Sequence, residues 1–165
     1  MNNENVEQLL SDCKQELDAI NLIIDADKFN SVNQYLTKYC LIKVCGTIEI
    51  GFKSIVVDFC AKFRIPQINN YVDKKVKRSS MNANLSNMMS LIGDFDVKWK
   101  NDFKKSIEEE PNKDKLKSSL KSLYESRNQF AHGGNPSITI NDIVTYYDDA
   151  IRILQLLDCI VILGE

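Results

Sequence analysis

Apolar residues recur at three- and four-residue intervals along most of the chain, the spacing that gives an α-helix one buried face. Val6, Leu9, Leu10, Cys13, Leu17, Ile20, Ile23 and Ile24 mark a long amphipathic helix over residues 4–29, broken at Asn30-Ser31. The next run, about 32–63, is apolar over much of its circumference. Tyr39, Leu41, Ile42, Val44, Ile48, Ile50, Phe52, Ile55, Val56, Val57 and Phe59 predict a central buried helix. Pro66 ends it, because the residue before a proline is pushed out of helical geometry. A shorter helix follows near 67–77, then a polar loop over 79–84. Two short helices come next, 85–92 and 97–107, separated by Gly93-Asp94-Phe95-Asp96. A helix from about Asp114 runs to the double glycine Gly133-Gly134. The last helix spans 141–163, with Ile143, Tyr146, Ala150, Ile153, Leu154, Leu157, Ile160 and Val161 inward. No stretch reads as a strand and no repeat is visible. The predicted fold is all-α, an up-and-down bundle of four to five main helices in a single domain over 1–165.

Composition narrows the class. The 165 residues are enough for one proper core, and 44% hydrophobic with 27% charged is the balance of a soluble globular protein. No basic cluster precedes an apolar run at the amino terminus, and no apolar stretch approaches the roughly 20 residues of a membrane span. A cytoplasmic protein is expected. The net charge of −2 argues against a general nucleic-acid coat, which would be basic overall. Its distribution is uneven, however: residues 1–29 and the far end are acidic. Lys62, Arg64, Lys74, Lys75, Lys77 and Arg78, then Lys98, Lys100, Lys104 and Lys105, make a basic middle suited to a phosphate backbone. Cys13, Cys40, Cys45, Cys60 and Cys159 contain no Cys-x-x-Cys pair and have one histidine for company. They read as reduced core residues, with no metal site and no cofactor expected.

The candidate chemistry lies where the 114–132 helix ends. Leu116, Leu120, Leu123, Phe130 and Ala131 supply its apolar stripe, and Gly133 stands where a helix end favours a left-handed residue. His132, the sole histidine, is four residues from Asn128, so the amide lies on its face and could orient the imidazole. Arg127 is five residues from His132, roughly 140° around the helix. One straight helix cannot aim both at one atom. Either the helix unwinds at the glycines, or a second copy completes the site. Arginine offers a charged planar fork for phosphate, and histidine can carry a proton near neutral pH. The plainer alternative is a histidine that satisfies the last carbonyls beside a solvated arginine. In the central helix, Gly46 and Gly51 suggest close helix–helix approach, with Gly46 expected in the packed contact. Glu49 and Lys53 are spaced for an ion pair.

The run Tyr124-Glu-Ser-Arg-Asn-Gln-Phe-Ala-His-Gly133 resembles the signature of the HEPN superfamily, Arg-Asn-x-x-x-His in its commoner form. The Gly46-x-x-Glu49 element is similar to one found on the neighbouring helix of RiboL-PSP-type HEPN domains. The resemblance implies a metal-independent endoribonuclease of the toxin or phage-defence kind. Its substrate would be RNA, with Arg127, Asn128 and His132 catalytic in a homodimer cleft. It places Glu49, and with it Lys53, as supporting residues near Arg127, and it leaves room for an antitoxin or other regulatory protein. One HEPN subtype is controlled through a tyrosine two residues beyond the histidine, but Gly134 stands there. Two further classes remain open: a non-catalytic HEPN module binding nucleotide, RNA or a partner protein, and a plain helical interaction protein.

Overall fold

The computed structural model describes residues 1–163, with side chains to 161, and among them it is all-α. Four long helices frame it: α1 (Glu4–Ala26), α2 (Asn33–Lys62), α6 (Lys113–Ala131) and α7 (Ile140–Leu163). Between α2 and α6 run α3 (Pro66–Val72), which continues as a π-helical turn over Asp73–Lys77, then α4 (Leu85–Phe95) and α5 (Val97–Glu109). α7 packs against α1, α2, α5 and α6, and α2 against α1 and α6. Among the described residues, no helix is long and apolar enough to cross a membrane.

The core forms where α2 and α7 meet. Leu41, Val44, Ile48, Phe52 and Ile55 of α2 cluster with Ile143, Ala150, Leu154 and Leu157 of α7, all of them buried. Removing such side chains from water stabilises the fold by roughly 1.5–3 kcal/mol each. Tyr147 is wholly buried, and its hydroxyl donates to the Leu10 carbonyl at 3.0 Å, which joins α7 to α1. Periodicity had put Tyr146 in that place. Tyr147 is the one in register with Ile143, Ala150 and Leu154, while Tyr146 is half-buried beside it.

Other expectations shift in similar ways. Ile23 of α1 and Tyr39, Ile42 and Ile50 of α2 are exposed, so α2 is central without being buried all round. Cys13, Cys40, Cys45 and Cys60 are buried free thiols, but Cys159 is exposed. Gly93-Asp94-Phe95 belongs to α4 rather than to a connection. Asp96 alone divides α4 from α5, and its carboxylate accepts from the amides of Lys98 at 2.6 Å and Trp99 at 3.2 Å. That cap starts α5 with only one residue between it and the end of α4. The close-packed glycine is Gly51: a Cβ there would lie 3.3 Å from Leu154 Cδ1 and 3.5 Å from Val6 Cγ1. A Cβ on Gly46 would meet nothing within 4 Å.

A buried polar contact sets the placement of α6. Asp149 of α7 accepts from Ser119 Oγ at 2.6 Å and from Lys115 Nζ at 3.0 Å. With Leu116, Leu120 and Leu123 buried in the core, this contact fixes the helix in rotation and along its axis. The end of α6 is thereby presented beside α2.

Candidate functional site

The helix ends as its double glycine predicts. Gly133 has φ +82°, its amide donates to the Phe130 carbonyl at 3.0 Å, and the Gly134 amide donates to the Gln129 carbonyl at 2.8 Å. This pair of bonds is the Schellman closure, which satisfies carbonyls that a helix end otherwise leaves open. His132 is the C-cap, at φ −93° and ψ 18°, and its amide donates to the Asn128 carbonyl at 3.0 Å. The helix therefore stays regular through Ala131, and no unwinding swings His132 towards Arg127. Ala131 is exposed rather than part of the buried stripe, and Tyr124 takes its place there.

Arg127 and Asn128 are half-buried and held together. Asn128 Oδ1 accepts from Arg127 Nη1 at 3.2 Å and from Asn82 Nδ2 at 2.9 Å. The amide carbonyl thus faces the arginine and the 79–82 loop, and not the imidazole. Among the described residues Arg127 pairs with no carboxylate, and the His132 ring makes no hydrogen bond. The ring itself is exposed.

The 79–82 loop is tied down from both sides. Lys53, buried in spite of its charge, donates to the Ser79 carbonyl and pairs with Glu49 Oε1 at 2.5 Å. Glu49 Oε1 also accepts from the Met81 amide at 3.3 Å. On the α4 side, Asn87 Nδ2 donates to the Asn82 carbonyl at 2.7 Å. A buried ammonium is tolerable only with such partners, and this one has a carboxylate and a carbonyl. Glu49 and Lys53 thus form the ion pair that their spacing suggests, and the pair fastens the loop that holds Asn128. It makes no direct bond to Arg127.

α2 and α6 are also joined at Cys45 and Tyr124. The Tyr124 hydroxyl donates to the Cys45 carbonyl at 3.4 Å, and Cys45 Sγ to the Leu123 carbonyl at 3.7 Å. Burial pushes the Cys45 thiol up to about 12, opposed by the Arg127 charge and reinforced by Glu49. Tyr124 is raised chiefly by burial as well, and the same arginine lowers it. The guanidinium thus lies close enough to this buried corner for its charge to oppose both shifts. Asn82 had no signal in the sequence, since it lies in a polar segment without periodicity, and Asn87 is one polar position among several on the predicted 85–92 helix. Among the described residues no three His, Cys, Asp or Glu side chains form a metal-holding group.

Chemically, the arrangement offers a fixed guanidinium for an anion and, one turn on, an exposed proton carrier. Comparison with curated proteins and with solved structures gave no match. The family model for RiboL-PSP-HEPN does match, over residues 2–162, which is nearly the whole chain, and the chain belongs to that family.

Proposed function

We propose that the chain is a metal-independent endoribonuclease, acting as a toxin or defence effector, whose site is completed across a homodimer. Membership in a HEPN family makes ribonuclease activity the first expectation. The observation that carries the reading is the state of the motif itself. Arg127 is oriented by Asn128 with no carboxylate to neutralise it among the described residues, and His132 stands exposed at the end of the same helix.

In the proposed reaction a ribose 2′-hydroxyl attacks the adjacent phosphorus, and the bond from phosphorus to the 5′-oxygen breaks. One neutral histidine takes the 2′ proton, and a protonated one delivers a proton to the departing 5′-oxygen. Arg127 stabilises the charge of the crowded phosphorane. Two proton transfers need two carriers or one that moves, and a chain with a single histidine meets that need as a pair. Asn82, Glu49 and Lys53 serve as positioning residues, acting through Asn128.

The test is cleavage of single-stranded RNA in EDTA. Products should end in 2′,3′-cyclic phosphate or its opened 3′-phosphate, and a DNA copy should resist because it lacks the attacking hydroxyl. Expression of the chain should arrest growth, and His132→Ala should relieve the arrest. Loss of cleavage in EDTA, or equal cutting of DNA, contradicts the reading. A second reading, a non-catalytic module that binds RNA or a partner protein, draws on the unoriented imidazole of the single copy. RNA retained without cleavage would favour it.

A further inference from the structure

A groove of about 730 Å³ opens between α3, its π-helical turn and α4, within the usual size of small-molecule sites. It shares a wall with the loop already described. Ser79 and Met81 line it, and so does Asn87, which bonds the Asn82 carbonyl. Asn82 in turn bonds Asn128, so two hydrogen bonds separate the groove from the motif.

Its lining mixes three kinds of group. Tyr71 from α3 and Phe95 from α4 are aromatic walls, 63% and 36% exposed, large surfaces for a folded chain to leave in water. Gln67, Ser90 and Asp94 present polar edges, and among the described residues their side chains make no hydrogen bond or ion pair. Lys75 lies at the groove, with Lys74 and Lys77 beside it on the π-helical turn. Among the described residues these lysines have no carboxylate partner, whereas Arg78 pairs with Asp73 at 2.7 Å. That concentration of unpaired cations stands out in a chain of net charge −2. π-helical turns also occur often at functional sites.

We infer that this groove binds a nucleobase with its phosphate: the ring stacked on Tyr71 and Phe95, its edge read by Gln67, Ser90 or Asp94, and the phosphate towards Lys75. An apolar peptide would use the walls but neither the cations nor the free polar edges. A nucleotide uses all three. On the ribonuclease reading, which this extension rests on, the bound nucleotide adjoins the scissile phosphate and the groove sets base preference.

The four nucleoside 5′-monophosphates, titrated singly into the ¹⁵N-labelled full chain, test the groove apart from catalysis, with inorganic phosphate as control. At least one should saturate and move the amides of 67–81 and 87–95. Tyr71→Ala should weaken binding about tenfold and Tyr71→Trp should retain it, in keeping with base–aromatic stacking. In RNA cleavage, Tyr71→Ala should raise KM about tenfold with kcat within about twofold. Unmoved amides with every monophosphate, or equal shifts with phosphate alone, overturn the inference. Cleavage by the wild-type chain with KM unchanged in Tyr71→Ala removes the groove's role in preference and leaves the ribonuclease reading intact. Nucleotide binding in the groove without any RNA cleavage does the opposite.

Discussion

The two ends of the Arg127–His132 segment are built differently. At the Arg127 end, α6, the 79–82 loop and α2 all converge: Asn82 bonds Asn128, Lys53 and Glu49 hold the loop, and Tyr124 bonds the Cys45 carbonyl. At the His132 end the backbone is closed by two glycine amides, and among the described residues the ring has no partner. Groups that stabilise developing charge work best when they need no reorganisation, which the first end provides. A proton carrier must instead be set against whatever docks on it. On the ribonuclease reading, one copy would present a finished anion clamp and an unfinished acid–base group, the asymmetry expected if a second copy supplies the rest.

Substitutions at both ends should have the largest effect. His132→Ala and Arg127→Ala should each lower RNA cleavage on the order of 10²-fold or more, with the helical circular dichroism unchanged because neither side chain is buried in the core. Retained activity in His132→Ala would leave the open end without a role. Asn82→Ala tests the fastened end. It should lower kcat about tenfold, the scale of one lost orienting hydrogen bond to a charged cluster. Combined with Asn128→Ala it should cost little more than either alone, because both act through one contact. Strict additivity of the two would show that Asn82 acts elsewhere.

Stability effects should be smaller and should follow the glycines. A Cβ on Gly134 would lie 2.7 Å from Gln129 Cγ and 2.9 Å from the Gln129 carbonyl oxygen, so Gly134→Ala should lower stability by about 1–3 kcal/mol. Gly46→Ala, in open space within a helix, should raise it by about 0.5–1 kcal/mol. Thermal melts of the two variants decide the order. Gly46, expected from the sequence in the packed contact, is thus the glycine with room for a side chain.

The smallest expected effect is alkaline. Burial holds the Cys45 thiol at about 12 and the Cys40 thiol at about 11, against an ordinary value of 9.0. Folded-state values raised in this way contribute stability that is fully present below pH 9 and lost as pH rises through about 11–12. The melting temperature should fall through that window, and less steeply in Cys45→Ala. An identical slope in the variant would mean that the Cys45–Tyr124 corner does not titrate with unfolding.

The long helices were legible because each keeps an apolar stripe at helical period. The candidate trio could be picked out because Arg127 and Asn128 are adjacent and His132 follows four residues later, a spacing that needs no tertiary knowledge. The partners that give the trio its shape were not. Asn82 is 46 residues from Asn128, and a loop without periodicity does not announce which side chain it will meet. Gly46 and Gly51 are five residues apart and so roughly 140° around α2. A helix that looked apolar on most sides did not reveal which of them faces α1 and α7. The Glu49–Lys53 pair was readable from spacing alone, but its hold on Ser79 and Met81 was not.

The composite site is tested most directly by mixing wild-type chain with His132→Ala chain in equal amounts, refolding them together and measuring RNA cleavage in EDTA. If both histidines of a pair are required, only wild-type pairs cut, and activity falls to about one quarter of that of the same total amount of wild-type protein. Activity of about one half would mean that each chain carries a complete site. That result would contradict the account.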